Sequence, residues 1–255
     1  MDTIKKTIPI PAAVLAASLL FFLSSLRACG DAAPDNFSQA KSVLERIYAD
    51  HRLTVYCGAA FDAQKHVALP DGFATPSHAK RAARVEWEHA VPVENFGRAF
   101  EVWREGDPQC VDSKGKPYRG RRCAEKTSAE FRRMEADMHN FFPAIGAVNA
   151  VRGKKRYDAL PDDAPTFGTC PAKYAKDAFE PPDDAKGRVA RAALYMADAY
   201  ARRYRLSDRQ RRLFEAWDRM FPVDDWECTR ARRIEEAGGD ENSHVKRPCQ
   251  KKGLW

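Results

Sequence analysis

Seven cysteines and an apolar leader constrain this chain more tightly than any other feature of its 255 residues. Lys5 and Lys6 precede a largely apolar run from Ile8 to Leu26, and small residues follow at Ala28 and Gly30. This charged, apolar, small order is that of a secretory signal peptide over residues 1–30. At 19 residues the run is also long enough to span a bilayer, but Pro9 and Pro11 weaken it as a permanent anchor. Ordinary cleavage fits after Gly30. Leu26-Arg27-Ala28-Cys29 also resembles a lipoprotein processing site, which would end the leader before Cys29 and make that cysteine a lipid anchor. Removing the leader leaves Cys57, Cys110, Cys123, Cys170, Cys228 and Cys249, an even set that reads as disulfides in a secreted or periplasmic chain.

Residues 31–255 read as one domain with no internal repeat. A hydrophobic content of 44% is enough to bury a core. The formal charge of +7 favours an acidic partner such as nucleic acid, anionic lipid or polyanionic sugar, and equally suits a merely solvated basic face. Ala40, Val43, Leu44 and Ile47 form one stripe of a helix over 38–49. Residues 54–58 are short and β-prone, and Leu69-Pro70-Asp71-Gly72 marks a turn. Between Cys110 and Cys123 a turn cluster, Asp112 to Pro117, suggests a hairpin or loop stapled at its base, a closure worth ~3 kcal/mol in the chain-entropy model. Thr127-Ser128-Ala129-Glu130 has the spacing of a capping box, opening a helix with Phe131, Met134 and Met138 on one face. Pro143 suits the first turn of a short helix toward Arg152. Residues 157–185 read as an irregular excursion, 186–212 as helix, and a last helix carries Leu213 and Trp217. The class is α+β, mostly helical, with short strands.

Two stretches carry chemistry. Arg84-Val85-Glu86-Trp87-Glu88-His89-Ala90-Val91-Pro92 alternates as a strand does, and ends in a carboxylate and an imidazole. Regular alternation sends Glu88 and His89 to opposite faces, so they share a site only if the strand ends or bulges there. The second stretch runs from Met134 to Asn149, where Gly146 permits close backbone approach. Glu88 with Asn149 makes a sparse, oxygen-only pair that suits Mg²⁺, a cation that keeps several waters and takes phosphate oxygens from its substrate. A zinc site would need more His or Cys, and the zinc-protease spacing is absent. Nine cations crowd residues 186–212, a face that either contacts phosphates or is simply solvated. No base-reading motif is present.

The Arg84–Pro92 stretch and the Met134–Asn149 stretch, with Arg191-Ala192-Ala193-Leu194-Tyr195-Met196, Glu215-Ala216-Trp217 and Pro222-Val223-Asp224-Asp225-Trp226-Glu227-Cys228 in the same order, resemble the endonuclease I family of secreted and periplasmic bacterial nucleases. The likeness covers roughly Thr54 to Cys249. It implies a ββα-metal (His-Me finger) motif and sequence-nonspecific cleavage of DNA, and of RNA as well, to 5′-phosphate products. By position it implies His89 as general base, Glu88 and Asn149 as ligands of one Mg²⁺ (with Mn²⁺ or Ca²⁺ as other occupants), and Arg121 on the scissile phosphate. One residue is missing before Cys123, so Arg119 and Arg122 are alternatives to Arg121. Glu135 is a candidate to orient the site from behind, and Glu86 falls to a structural role. The implied disulfides are Cys110–Cys123, Cys228–Cys249 and Cys57–Cys170. A histidine at its ordinary pKa of ~6.5 would be mostly neutral at pH 7. Ala147, and Ala150-Val151 where relatives carry Gly-Asp, depart from the family pattern and bear on metal affinity. The expected protein is a monomer with no obligate protein partner. The alternative is a catalytically weak basic DNA-binding protein on the same fold.

Overall fold

The stripe near the start of the domain is realised as α1 (Phe37–Ile47), capped by Asn36, in a computed structural model that describes residues 33–255. Ala40, Leu44 and Ile47 are buried along it. The leader, its cleavage point and Cys29 lie outside the described residues. Among the described residues no helix is long and apolar enough to cross a membrane. Residues 54–58, expected to be β-prone, form a tight turn instead, closed by the Gly58 amide donating to the Thr54 carbonyl at 3.1 Å. The turn at Pro70–Gly72 is present, with Gly72 at a φ of +75°.

Strand β1 (Val85–His89) follows a 3-10 turn at Ala79–Arg81. Short helices α2 (Val93–Gly97) and α3 (Glu101–Arg104) lead to the loop closed by Cys110 and Cys123, then to α4 (Arg121–Thr127) and α5 (Ala129–Glu135). The cap of α5 is Ser128, one residue later than the capping-box spacing suggested: its hydroxyl accepts from the Phe131 amide at 3.1 Å. Thr127 is used up as the last residue of α4, where its hydroxyl donates to the Cys123 carbonyl. Helix α5 ends at Glu135, so Met138 falls in a separate 3-10 turn (Met138–Asn140).

Strand β2 (Phe141–Ile145) then pairs antiparallel with β1, setting His89 opposite Phe141, Glu88 opposite Phe142 and Trp87 opposite Pro143. Pro143 therefore sits inside a strand and does not open a helix. A two-stranded ribbon has only edges, so the amide that proline lacks breaks no central ladder, and the Pro143 carbonyl accepts the Val55 amide at 2.7 Å. The helix starts later, as α6 (Gly146–Arg152), laid against β1.

The excursion at 157–185 is not irregular. It holds β3 (Arg156–Tyr157), β4 (Thr166–Phe167), β5 (Cys170–Tyr174) and β6 (Ala178–Glu180), a sheet of order β3-β6-β5-β4 in which β3 runs parallel to β6. The expected helix over 186–212 is two: α7 (Asp183–Ala199) and, after a break, α8 (Asp208–Met220), capped by Ser207. Two more, α9 (Asp225–Glu236) and α10 (Ser243–Lys251), complete the chain and are joined by Cys228–Cys249. Cys57–Cys170 and Cys110–Cys123 are the other bridges, so all three pairings agree with the resemblance.

The main core gathers Phe96, Phe131, Met134, Ile145, Val148, Phe167, Phe179, Met196 and Phe214 between the ribbon, the small sheet and α7–α8. A second cluster packs α1 against Phe141, Met138 and Ile234. The described residues form one α+β unit, mostly helical, and β1 lies between these two clusters with a different environment on each face.

Candidate active site

Because β1 is regular up to its last residue, Glu86 and Glu88 project to one face and His89 to the other. The strand stops at His89, and Asn140 fixes the stop. Its side-chain oxygen accepts the Val91 amide at 2.7 Å and its NH₂ donates to the Val91 carbonyl at 3.0 Å.

On the His89 face the ring lies between two phenylalanines, Phe37 at 5.0 Å and Phe141 edge-on at 4.4 Å between centroids. Its Nε2 meets the backbone carbonyl of Glu135 at 3.2 Å, and a carbonyl only accepts, so Nε2 carries the hydrogen. Nδ1 is left as the bare acceptor and meets no partner among the described residues. Burial, and then the nearby Arg121, push the His89 pKa down to about 3. The ring is neutral because it is desolvated, a stronger cause than the ordinary pKa of ~6.5 considered above.

The same Glu135 reaches Arg121. Its buried carboxylate accepts from Arg121 Nε at 2.5 Å, and Glu125 accepts from that nitrogen at 2.9 Å. Burial, opposed by Arg121, pushes the Glu135 carboxyl up to about 7. Arg121 also lies over the Phe37 ring, 5.2 Å from its centroid. Its two terminal nitrogens meet no partner among the described residues. The alternatives point elsewhere: Arg119 donates to the Arg104 carbonyl and Arg122 stacks on Tyr118. The structure thus brings His89, Arg121 and Glu135 together.

On the opposite face Glu88 is 3% exposed, and one carboxylate oxygen, Oε1, takes both a hydrogen bond and an ion pair. Arg152, 1% exposed, approaches it at 2.9 Å and the Tyr56 hydroxyl donates at 2.9 Å. Tyr157 lies behind, 2.6 Å from the Tyr56 hydroxyl. Burial, countered by Arg152, raises the Glu88 carboxyl to about 7. Arg152 Nη1 also donates to the His89 carbonyl at 2.7 Å, which ties the network to the end of the strand. Oε2 of Glu88 accepts nothing among the described residues.

Asn149 sits one turn before Arg152 on α6, half-buried, and its nearest bonded partner is Glu86, not Glu88: Nδ2 donates to Glu86 Oε2 at 3.0 Å. Its Oδ1 accepts no hydrogen bond among the described residues. Burial would raise the Glu86 carboxyl, but Arg81 outweighs it and holds it below the usual range. The two oxygens that remain open, Glu88 Oε2 and Asn149 Oδ1, are hard donors of the kind Mg²⁺ prefers, so the residues fit such an ion. Among the described residues no group of three or more His, Cys, Asp or Glu gathers as a metal site.

The basic run at 186–212 answers differently. Lys186 pairs with Glu180 and Asp183, Arg188 with Asp224, Arg191 with Asp218 and Glu227, Arg203 with Glu130, Arg209 with Asp158 and Arg211 with Asp198. Most of that charge joins elements of the fold, and Arg191 is buried.

The family model described as Endonuclease I matches residues 36–249. The chain belongs to the endonuclease I family. It is 39% identical to an extracellular deoxyribonuclease of Aeromonas hydrophila over 84% of this chain and 90% of that one. A periplasmic deoxyribonuclease of the same organism is 39% identical over 84% of this chain and 86% of its own. An Endonuclease-1 of Buchnera aphidicola is 32% identical over 86% and 83%. Membership makes the protein a nuclease, a phosphodiester hydrolase. Arg152, Tyr56, Tyr157, Phe37 and Asn140 surround the site without having been singled out in the sequence. Only Arg152 carried a signal, as the arginine one helical turn after Asn149.

Proposed function

We propose that this protein is an exported, sequence-nonspecific, Mg²⁺-dependent endonuclease that hydrolyses DNA, and RNA as well, to 5′-phosphate products, with His89 as the general base. The observation that carries the reading is the 3.2 Å contact of His89 Nε2 with the Glu135 carbonyl beside Arg121, which calls for the hydrogen on Nε2. It leaves Nδ1 bare and open to take a proton.

In this reading a water attacks phosphorus as Nδ1 takes its proton, and the carbonyl of Glu135 stabilises the imidazolium through Nε2–H. The terminal nitrogens of Arg121 bind nonbridging oxygens of the scissile phosphate, and Glu135 and Glu125 hold that guanidinium by Nε alone. The incoming phosphate anion offsets the charge of Arg121, which raises the basicity of the imidazole as substrate docks. Glu88 and Asn149 would hold the metal. A bound divalent cation supplies Lewis-acid stabilisation of charge on the phosphate and on the leaving 3′ oxygen. Contacts to phosphate carry no base identity, which suits a nonspecific enzyme. The names of the relatives, extracellular and periplasmic deoxyribonuclease, support DNA as substrate and export as the destination.

Plasmid DNA tests this. With Mg²⁺ the protein should nick and degrade it, EDTA should stop the reaction, and His89→Ala should cost ~10²-fold or more. DNA retention without cleavage under any divalent metal would leave the binding-protein alternative in its place, and full activity of His89→Ala would overturn the assigned base.

A further inference from the structure

The strand that carries Glu88 carries a second carboxylate, and the structure gives it a different task. Glu86 is gripped by two arginines. Arg81 donates to it through Nε at 2.8 Å and through Nη2, and Arg84 reaches Oε1 at 3.4 Å. Its remaining contact is Asn149 Nδ2 at 3.0 Å. These segments meet at Gly146, the first residue of α6: a Cβ there would lie 2.6 Å from the Arg81 carbonyl and 2.9 Å from Glu86 Oε1. The missing side chain lets the strand carboxylate, the 3-10 turn and the helix start come together.

An asparagine amide has two ends of similar shape and opposite chemistry, and only the oxygen can bind a cation. Packing alone does not choose between them. A carboxylate held by two guanidiniums offers acceptors only, so it takes the NH₂ end and leaves Oδ1 facing away from Glu86. The arginines also neutralise Glu86, so it does not compete with Glu88 for the ion. We propose that Glu86 is a positioning residue: through Asn149 Nδ2 it locks the amide with its oxygen presented to the divalent cation, and Arg81 and Arg84 commit it to that task. This rests on the metal reading of Glu88 and Asn149 given above, and it replaces the merely structural role expected for Glu86.

The test is a polarity swap, read as Mn²⁺ affinity by titration calorimetry in a His89→Ala background that does not turn over. Asn149→Asp alone supplies a charged ligand of the same shape, yet sets it against the carboxylate of Glu86; affinity should fall ~10-fold or more. Adding Glu86→Gln restores one donor and one acceptor in reversed order, and should recover most of that loss. Glu86→Ala alone should weaken Mn²⁺ by a similar factor. Glu86→Gln keeps the volume of the side chain, so the swap remains readable if Glu86→Ala does not fold. A double variant no tighter than Asn149→Asp, both being folded by circular dichroism, overturns the positioning role. Absence of Mn²⁺ binding with Glu86 and Asn149 intact would overturn the metal reading itself, a distinguishable failure.

Discussion

The two faces of β1 hold their functional groups by opposite means. His89 is fixed by apolar surroundings, two phenylalanine rings and one backbone carbonyl, and burial keeps it uncharged. Glu88 is fixed by a buried polar network of Arg152, Tyr56 and Tyr157, where one guanidinium stands against the cost of desolvation. On the proposed roles, His89 as base needs a free lone pair, and an apolar sleeve suits that. Glu88 as ion ligand needs negative charge in a dry place, and only a partner cation makes that tolerable. The five residues from Val85 to His89 supply both environments because a strand changes face at each residue.

The polar face should break hardest. Arg152→Met leaves the Glu88 carboxylate buried without its cation, and loss of one partner of such a pair costs about 3–5 kcal/mol. Urea unfolding should show this, with activity lost in parallel; a loss under 1 kcal/mol would mean that Tyr56 alone suffices. Next in size is the contribution of a second desolvated histidine, His139, which is buried, donates Nε2–H to the Asp240 carbonyl and leaves Nδ1 without a partner. Burial, and then Arg230, push its pKa down to about 3. Below pH ~6.5 the unfolded chain binds a proton that the folded chain refuses down to about pH 3. The contribution of this one site should therefore fall as pH falls through that window, by about 1.4 kcal/mol per pH unit, against the opposite contribution of the raised Glu88 and Glu135 carboxyls. His139→Gln should flatten the slope measured between pH 6 and 4, and an unchanged slope would assign it to other groups. The smallest effect belongs to the apolar face. Phe37→Ala removes one ring from His89 and the surface under Arg121, and ring pairs contribute about 0.5–1.5 kcal/mol. Turnover should drop several-fold with the metal requirement unchanged; a shift in Mg²⁺ dependence instead would tie Phe37 to the metal ligands as well.

Local pattern made β1 legible, because five residues of alternation ending before a proline have few other readings. The three disulfides agreed with the family likeness, and the structure brings His89, Arg121 and Glu135, each singled out in the sequence, into contact. What escaped was non-local. Strands β3, β4 and β6 are two or three residues long, too short for alternation to register. Pro143 matched the first turn of a helix, but its tertiary setting on an edge strand overrode that preference. The basic run looked unpaired because its partners, Glu130, Asp158, Asp218, Asp224 and Glu227 among them, come from outside the window in which it was read. Tyr56 reaches Glu88 across 32 positions and Glu86 takes Asn149 across 63, and no periodicity encodes such meetings.

Glu135 serves His89 with its main chain and Arg121 with its side chain. Those two attachments are separable by mutation. Any residue that keeps the α5 terminus in place still presents a carbonyl to the imidazole, whereas only a carboxylate holds the guanidinium. On the proposed reading the grip on phosphate is adjustable at this position while the proton acceptor stays put. Affinity for different nucleic acid backbones can thus drift through one codon without disturbing the chemistry next to it.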